Sequence, residues 1–139
     1  MDDSLDLQRF VDAQAPVFEE VRGELRRGRK QSHWMWFIFP QVKGLGFSGM
    51  AQKFGIASRA EAEAYLAHPV LGPRLIECTQ LVNTVEGRSI EQILGGIDAM
   101  KFRSSMTLFS QVSTEPGVFE AALQKYFAGE PDQLTLDRL

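Results

Sequence analysis

The chain has 139 residues, 44% of them apolar and 24% charged, with a formal net charge of −3 at pH 7. This length and balance describe one globular domain spanning 1–139 and exclude a disordered chain. Cys78 is the single cysteine, which excludes an intrachain disulfide; with two histidines it cannot close a structural zinc site without carboxylates, so no metal and no cofactor is expected.

Taken in chain order, the predicted elements are overwhelmingly helical. Asp6 can cap a first helix holding Leu7, Phe10 and Val11. Pro16 suits the first turn of a second, whose Val17, Val21 and Leu25 recur at spacing four and mark one face. Gly28 ends it. The run from Ser32 to Pro40 (SHWMWFIFP) reads equally as a buried strand or a short buried helix. Residues 43–49 are loop-like, with three glycines, and 50–54 add a short helix.

Ser58-Arg59-Ala60-Glu61 reads as a capping box opening an alanine-rich helix to about Ala67. Pro69 or Pro73 starts the next, which runs towards Val85 and stops at Gly87. Ser89 with Gln92 forms a second capping box, closed by Gly95-Gly96. Asp98 caps a helix through Met106, Leu108 and Phe109. Pro116 starts another with the stripe Phe119, Leu123, Tyr126 and Phe127, ended by Gly129, and a last short turn holds Leu134 and Leu136. No Asn-Gly or Asp-Gly hairpin signal occurs. The expectation is an all-α domain of roughly seven to nine short helices around one core.

No apolar run approaches the roughly 20 residues that span a bilayer. The start, Met1-Asp2-Asp3, is acidic where a secretory signal is basic and then apolar. A cytoplasmic, reducing location and no membrane partner are therefore expected. The charge is unevenly spread: residues 25–60 contain no Asp or Glu but seven Lys and Arg, and the acid-free stretch 99–114 adds Lys101 and Arg103. Segregation of this kind attracts anions even on an acidic chain.

Three blocks carry a resemblance: LQRFVDAQ at 7–14, KQSHWMWFIFPQ at 30–41 continuing through Gly44-Leu45-Gly46 and Ser48 to Met50-Ala51, and KFRSSMTLF at 101–109. With AHPVLGPRL at 67–75, they make the chain resemble, over nearly its whole length, a bacterial family known as domain of unknown function 1810. Phe54 stands where that family's pattern has tyrosine, and Phe102 where leucine is common. The resemblance implies a compact helical fold and carries no activity. The calpastatin label given to some members conflicts with the globular composition, because calpastatin is a disordered inhibitor.

The same blocks hold the candidate chemistry. Gly44-Leu45-Gly46-Phe47-Ser48-Gly49 matches G-x-G-x-x-G, but the further strands of a dinucleotide fold are missing and Pro40 separates the apolar run from the glycines. Glycine-rich backbone beside lysines can still form an anion-binding nest. Lys30, Ser32 and His33 offer donors to a phosphate or carboxylate, or cap a helix start. His33 is the candidate for proton transfer, with Asp12 or Glu24 to orient it. Trp34 and Trp36 diverge on a helix, where one faces the core and the other can form a pocket wall, and share one face on a strand. Gln41, Gly44, Gly46 and Ser48 follow on the adjoining loop. Lys101, Arg103, Ser104 and Ser105 form either a polar network between helices or a second wall. His68 reads as a structural cap, and Cys78 as a buried inert thiol.

The leading expectation is a pocket that binds, and can turn over, a small anionic ligand containing a phosphate or nucleotide. The rival is a helical interaction module that binds a protein or nucleic acid through Arg26, Arg27, Arg29 and Lys30 at one helix end. A concave pocket on which His33, Lys101 and Arg103 converge favours a ligand or an enzyme; a flat basic face with these side chains in separate helix contacts favours the module or a purely structural role.

Overall fold

Caps, prolines and glycines in the sequence set most of the boundaries seen in the fold. In the computed structural model, which describes residues 6–139, ten helices follow one another: α1 (Gln8–Gln14), α2 (Phe18–Arg26), α3 (Met35–Ile38), α4 (Gly49–Lys53), α5 (Arg59–Ala67), α6 (Leu71–Thr84), α7 (Ile90–Leu94), α8 (Gly96–Val112), α9 (Gly117–Phe127) and α10 (Gln133–Asp137). The acidic start at 1–3 lies outside the described residues. The count passes the expected nine because SHWMWFIFP folds as the one-turn helix α3, not as a strand. Among the described residues no strand forms; one isolated parallel bridge, Val42 with Ile56, ties the ends of the 42–56 segment together.

The capping box at Ser89 is complete, with Ser89 and Gln92 each bonding the other's backbone N–H. The box at Ser58 is half formed: Ser58 Oγ accepts from Glu61 N at 3.1 Å, but Glu61 reaches back to Ala57 N at 2.9 Å. Two expected caps are displaced. α1 follows Leu7, not Asp6, with no side-chain cap bond, and Asp6 instead gives its carbonyl to Arg9 at 2.7 Å. α8 starts two residues before Asp98, because Gly95 at φ 93° turns α7 directly into it. His68 caps α6, its Nδ1 accepting from Val70 N at 3.1 Å and Leu71 N at 3.3 Å.

α8 is the centre of the fold and packs against α5, α7, α9 and α10. Its Phe102, Met106 and Phe109 are fully buried. Two aromatic chains meet on it. Trp34, Phe39 and Phe102 follow one another at 6.2 and 4.9 Å between ring centroids, the second contact edge-to-face. Phe10, Tyr65, Phe109 and Phe119 follow at 5.1, 5.4 and 5.9 Å. Each such ring contributes a few kcal/mol by leaving water, roughly 1.5–3 for a fully buried side chain. The first chain fixes the 30–41 segment against the start of α8, which creates the site described next.

Candidate functional site

Glu24 lies on the apolar face of α2, three residues after Val21, and is 1% exposed. Its carboxylate accepts four hydrogen bonds from the segment leading into α3: Gln31 N at 2.7 Å, Ser32 N at 3.0 Å, Ser32 Oγ at 2.6 Å and Trp34 Nε1 at 2.9 Å. Burial alone raises a carboxyl pKa. Here the bonds from the Ser32 side chain, the Gln31 backbone, Trp34 and the Ser32 backbone outweigh it and lower the value to about 2. Glu24 is thus the anchor of this segment. Its sequence signal was a carboxylate on an otherwise apolar helix stripe.

The two tryptophans diverge. Trp34 is buried, whereas Trp36 is half-buried. Each has a lysine ammonium over its ring, Lys30 over Trp34 at 5.2 Å and Lys101 over Trp36 at 5.3 Å. Asp98, in the first turn of α8, joins the lysines: Lys30 Nζ lies 3.0 Å from Oδ2 and Lys101 Nζ 3.8 Å from Oδ1. One carboxylate between two ammonium groups leaves the trio a formal charge of +1. The indoles also differ in their N–H groups: Trp34 Nε1 donates to Glu24, while Trp36 Nε1 is buried with no hydrogen-bond partner among the described residues.

Trp36, Gln41 and Lys101 line one cleft together with Met35, Phe39 and Phe54. Its inner space is about 10 Å³, of the order that holds a single water. Phe54, the residue found in place of tyrosine, also packs on Phe37 at 5.3 Å and Phe10 at 5.6 Å. Gly46 adjoins the cleft: a Cβ there would lie 2.9 Å from the Ala51 Cβ and 3.6 Å from Gln41 Nε2.

The other candidates do not converge on this cleft. Arg103 follows Lys101 by two residues and so leaves α8 in another direction. It donates to the Glu130 and Pro131 carbonyls at 3.0 and 3.1 Å, holding the loop between α9 and α10. Ser104 Oγ donates to Asp132 at 2.9 Å, and Asp132 caps α10. Ser105 is fully buried with an unpartnered hydroxyl. Ser48 caps α4, accepting from Ala51 N at 3.1 Å. Gly44, at φ 100°, carries the guanidinium of Arg138 against its open face; a cation, not an anion, sits on that turn. His33 is exposed, and neither expected orienter reaches it: Glu24 holds Ser32 and Trp34, and Asp12 accepts from Gln8 at 2.9 Å. His33, Lys101 and Arg103 do not converge, because Lys101 lines the cleft, Arg103 holds the α9–α10 loop and His33 is exposed.

Cys78 is buried on α6, and burial, reinforced by Glu77, raises its pKa to about 12. Among the described residues no three His, Cys, Asp or Glu gather as a metal-binding group, and no helix is long and apolar enough to cross a membrane.

Fold and site together define an all-α, single-core protein with a small lysine- and tryptophan-lined cleft. The chain belongs to the family described as protein of unknown function (DUF1810), whose model matches residues 4–139. It is similar to the conserved hypothetical protein Rv1873 from Mycobacterium tuberculosis, whose crystal structure was solved at 1.38 Å: 55% of residues are identical over 99% of this chain and 98% of that one, with a TM-score of 0.97. No curated protein matches.

Proposed function

We propose that the protein binds a small anionic ligand at the cleft of Trp36, Gln41 and Lys101. The observation behind this reading is the buried Trp36 N–H, which has no acceptor among the described residues, beside a lysine ammonium. A buried donor without a partner costs about 1–3 kcal/mol, so an acceptor oxygen supplied by a ligand recovers stability as well as affinity. The Lys101 ammonium favours an acceptor that is charged. The space is too small to enclose a nucleotide, whose base and sugar would lie outside the mouth.

Thermal shift and tryptophan fluorescence with acetate, inorganic phosphate, sugar phosphates and nucleotides test the reading. At least one anion should stabilise the wild type and perturb its fluorescence. Trp36→Phe and Lys101→Ala should abolish the response, while Arg103→Ala should keep it. Absence of any response, or an undiminished one in both cleft variants, removes the proposal.

A second reading has one observation in its favour. Arg26, Arg27 and Arg29 are exposed at the end of α2, and their side chains bond no other described residue. Lys30 is held by Asp98 and does not join them. An anionic macromolecule bound there should be released steeply by salt, and Arg26→Gln with Arg27→Gln should flatten that dependence. No retention on nucleic acid at low salt excludes its nucleic-acid form.

A further inference from the structure

We infer that the protein associates with itself head to tail, the Phe47 ring of one copy entering an apolar groove between α5, α6 and the α8–α9 turn of the next. Phe47 and the groove both lie outside the Trp36 cleft.

Leu66 on α5, Ile76 on α6, and Val112 and Val118 on either side of the α8–α9 turn line the groove. Leu66, Val112 and Val118 are backed by the core, while Ile76 is 38% exposed. The groove offers about 770 Å³, within the range that holds a drug-sized molecule, so one aromatic ring fits together with the backbone beside it. Its charge is of one sign: Glu63 and Glu115 line it, and no Lys or Arg does. Glu115 makes no ion pair among the described residues, and Glu63 meets Arg59 at 3.4 Å in an exposed pair that contributes little. A groove of this kind matches an apolar side chain with positive charge beside it.

The chain carries that counterpart itself. Phe47, at 85%, is the most exposed large apolar side chain among the described residues. Its loop is held in one shape: the Phe47 carbonyl accepts from Gln52 Nε2 at 2.9 Å, and Ser48 caps α4. Exposed Lys43 and Lys53 flank the ring in sequence, the Arg138 guanidinium lies on the Gly44 turn, and no Asp or Glu occurs between residues 25 and 60. Within one chain the two surfaces lie apart. The Phe47 segment meets the start of α8, where Ala51 and Lys101 line the cleft, whereas the groove begins at Val112, about 16 Å further along the helix.

Charge also decides against other occupants. A two-fold contact would set Glu63 and Glu115 against their own copies and leave the ring outside. The acidic rim repels an anionic bilayer or a nucleic acid. Ring and groove are different surfaces, so each contact leaves a free ring at one end and a free groove at the other, and the assembly does not stop at two. A contact centred on one ring is small and therefore weak.

Sedimentation equilibrium of the full chain at low salt, from about 10 μM to about 1 mM, is the test. The average mass of the wild type should rise with concentration and pass that of a dimer. Phe47→Ser and Ile76→Lys, both surface changes, should each stay monomeric with unchanged circular dichroism. Mixed one to one, these two variants should form a dimer and nothing larger, because one keeps the groove and the other the ring. Glu115→Lys, at an exposed turn position, should weaken the wild-type association at least about threefold. A wild type that stays monomeric leaves the groove to a segment of another protein, and the inference falls. It falls equally if Phe47→Ser associates like the wild type, or if the mass stops at a dimer and the mixed variants remain apart, which is the behaviour of a two-fold contact elsewhere.

Discussion

Replacing Glu24 with glutamine isolates the interaction that holds the aromatic segment in place. The carboxylate accepts four hydrogen bonds between 2.6 and 3.0 Å, and glutamine offers one carbonyl oxygen while turning an NH2 group towards donors. In the fold the carboxyl titrates at about 2 against an ordinary 4.5. At about 1.4 kcal/mol per pH unit, that difference corresponds to about 3 kcal/mol. A carboxyl lowered by folding contributes its full stability above its unfolded pKa and loses it as pH falls through the folded one. The wild type should therefore lose about 3 kcal/mol of its advantage over Glu24→Gln as pH drops from about 5 towards 2, on top of any loss common to both. Urea denaturation midpoints at pH 7, 5, 4 and 3, read by far-ultraviolet circular dichroism, measure both chains. A difference at pH 7 below about 1 kcal/mol, or one that does not shrink on acidification, would refute the reasoning.

Four further outcomes follow from single contacts. Asp98→Asn leaves Lys30 and Lys101 without their shared carboxylate and should cost about 1–2 kcal/mol in urea denaturation, more than an exposed ion pair would. Cys78, with its thiol raised to about 12 by burial, should stay unreactive towards a thiol-specific disulfide reagent at pH 8 until urea unfolds the chain. Phe102→Ala, removing a fully buried ring packed edge-on against Phe39, should lower stability by about 3–5 kcal/mol, whereas Phe47→Ala, at a ring 85% exposed, should change it by less than about 0.5. Asp132→Ala removes the cap of α10 and the acceptor for Ser104 and Thr135; a loss of about 1–2 kcal/mol with faster amide exchange confined to α10 is expected.

How much of this was legible in the sequence depended on whether the signal was local. The Ser89–Gln92 box, Pro116 at the start of α9 and the stripe Phe119–Leu123 act over a few residues and appear as read, whereas α6 starts at Leu71, between the two prolines expected to open it, and Gly96 opens α8 where it was expected to close α7. The candidate site was legible only in part. Trp36, Gln41 and Lys101 meet across sixty-odd residues of chain, while Arg103 and Ser104, neighbours of Lys101 in sequence, were captured by the loop and cap leading into α10. The residue type and its exposed or buried tendency were visible; the partner was not.

Sequence alone determined an all-α fold, the core positions along its longer helices, and a basic, aromatic segment worth inspecting, because periodicity, caps and charge runs are properties of neighbouring residues. Tertiary structure decided that SHWMWFIFP is a one-turn helix and not a strand, since Glu24 from another helix satisfies the backbone and indole donors of its approach. It decided as well which tryptophan is complete and which still lacks an acceptor: the hydrogen-bond partner of a buried group is set by whatever the fold brings beside it.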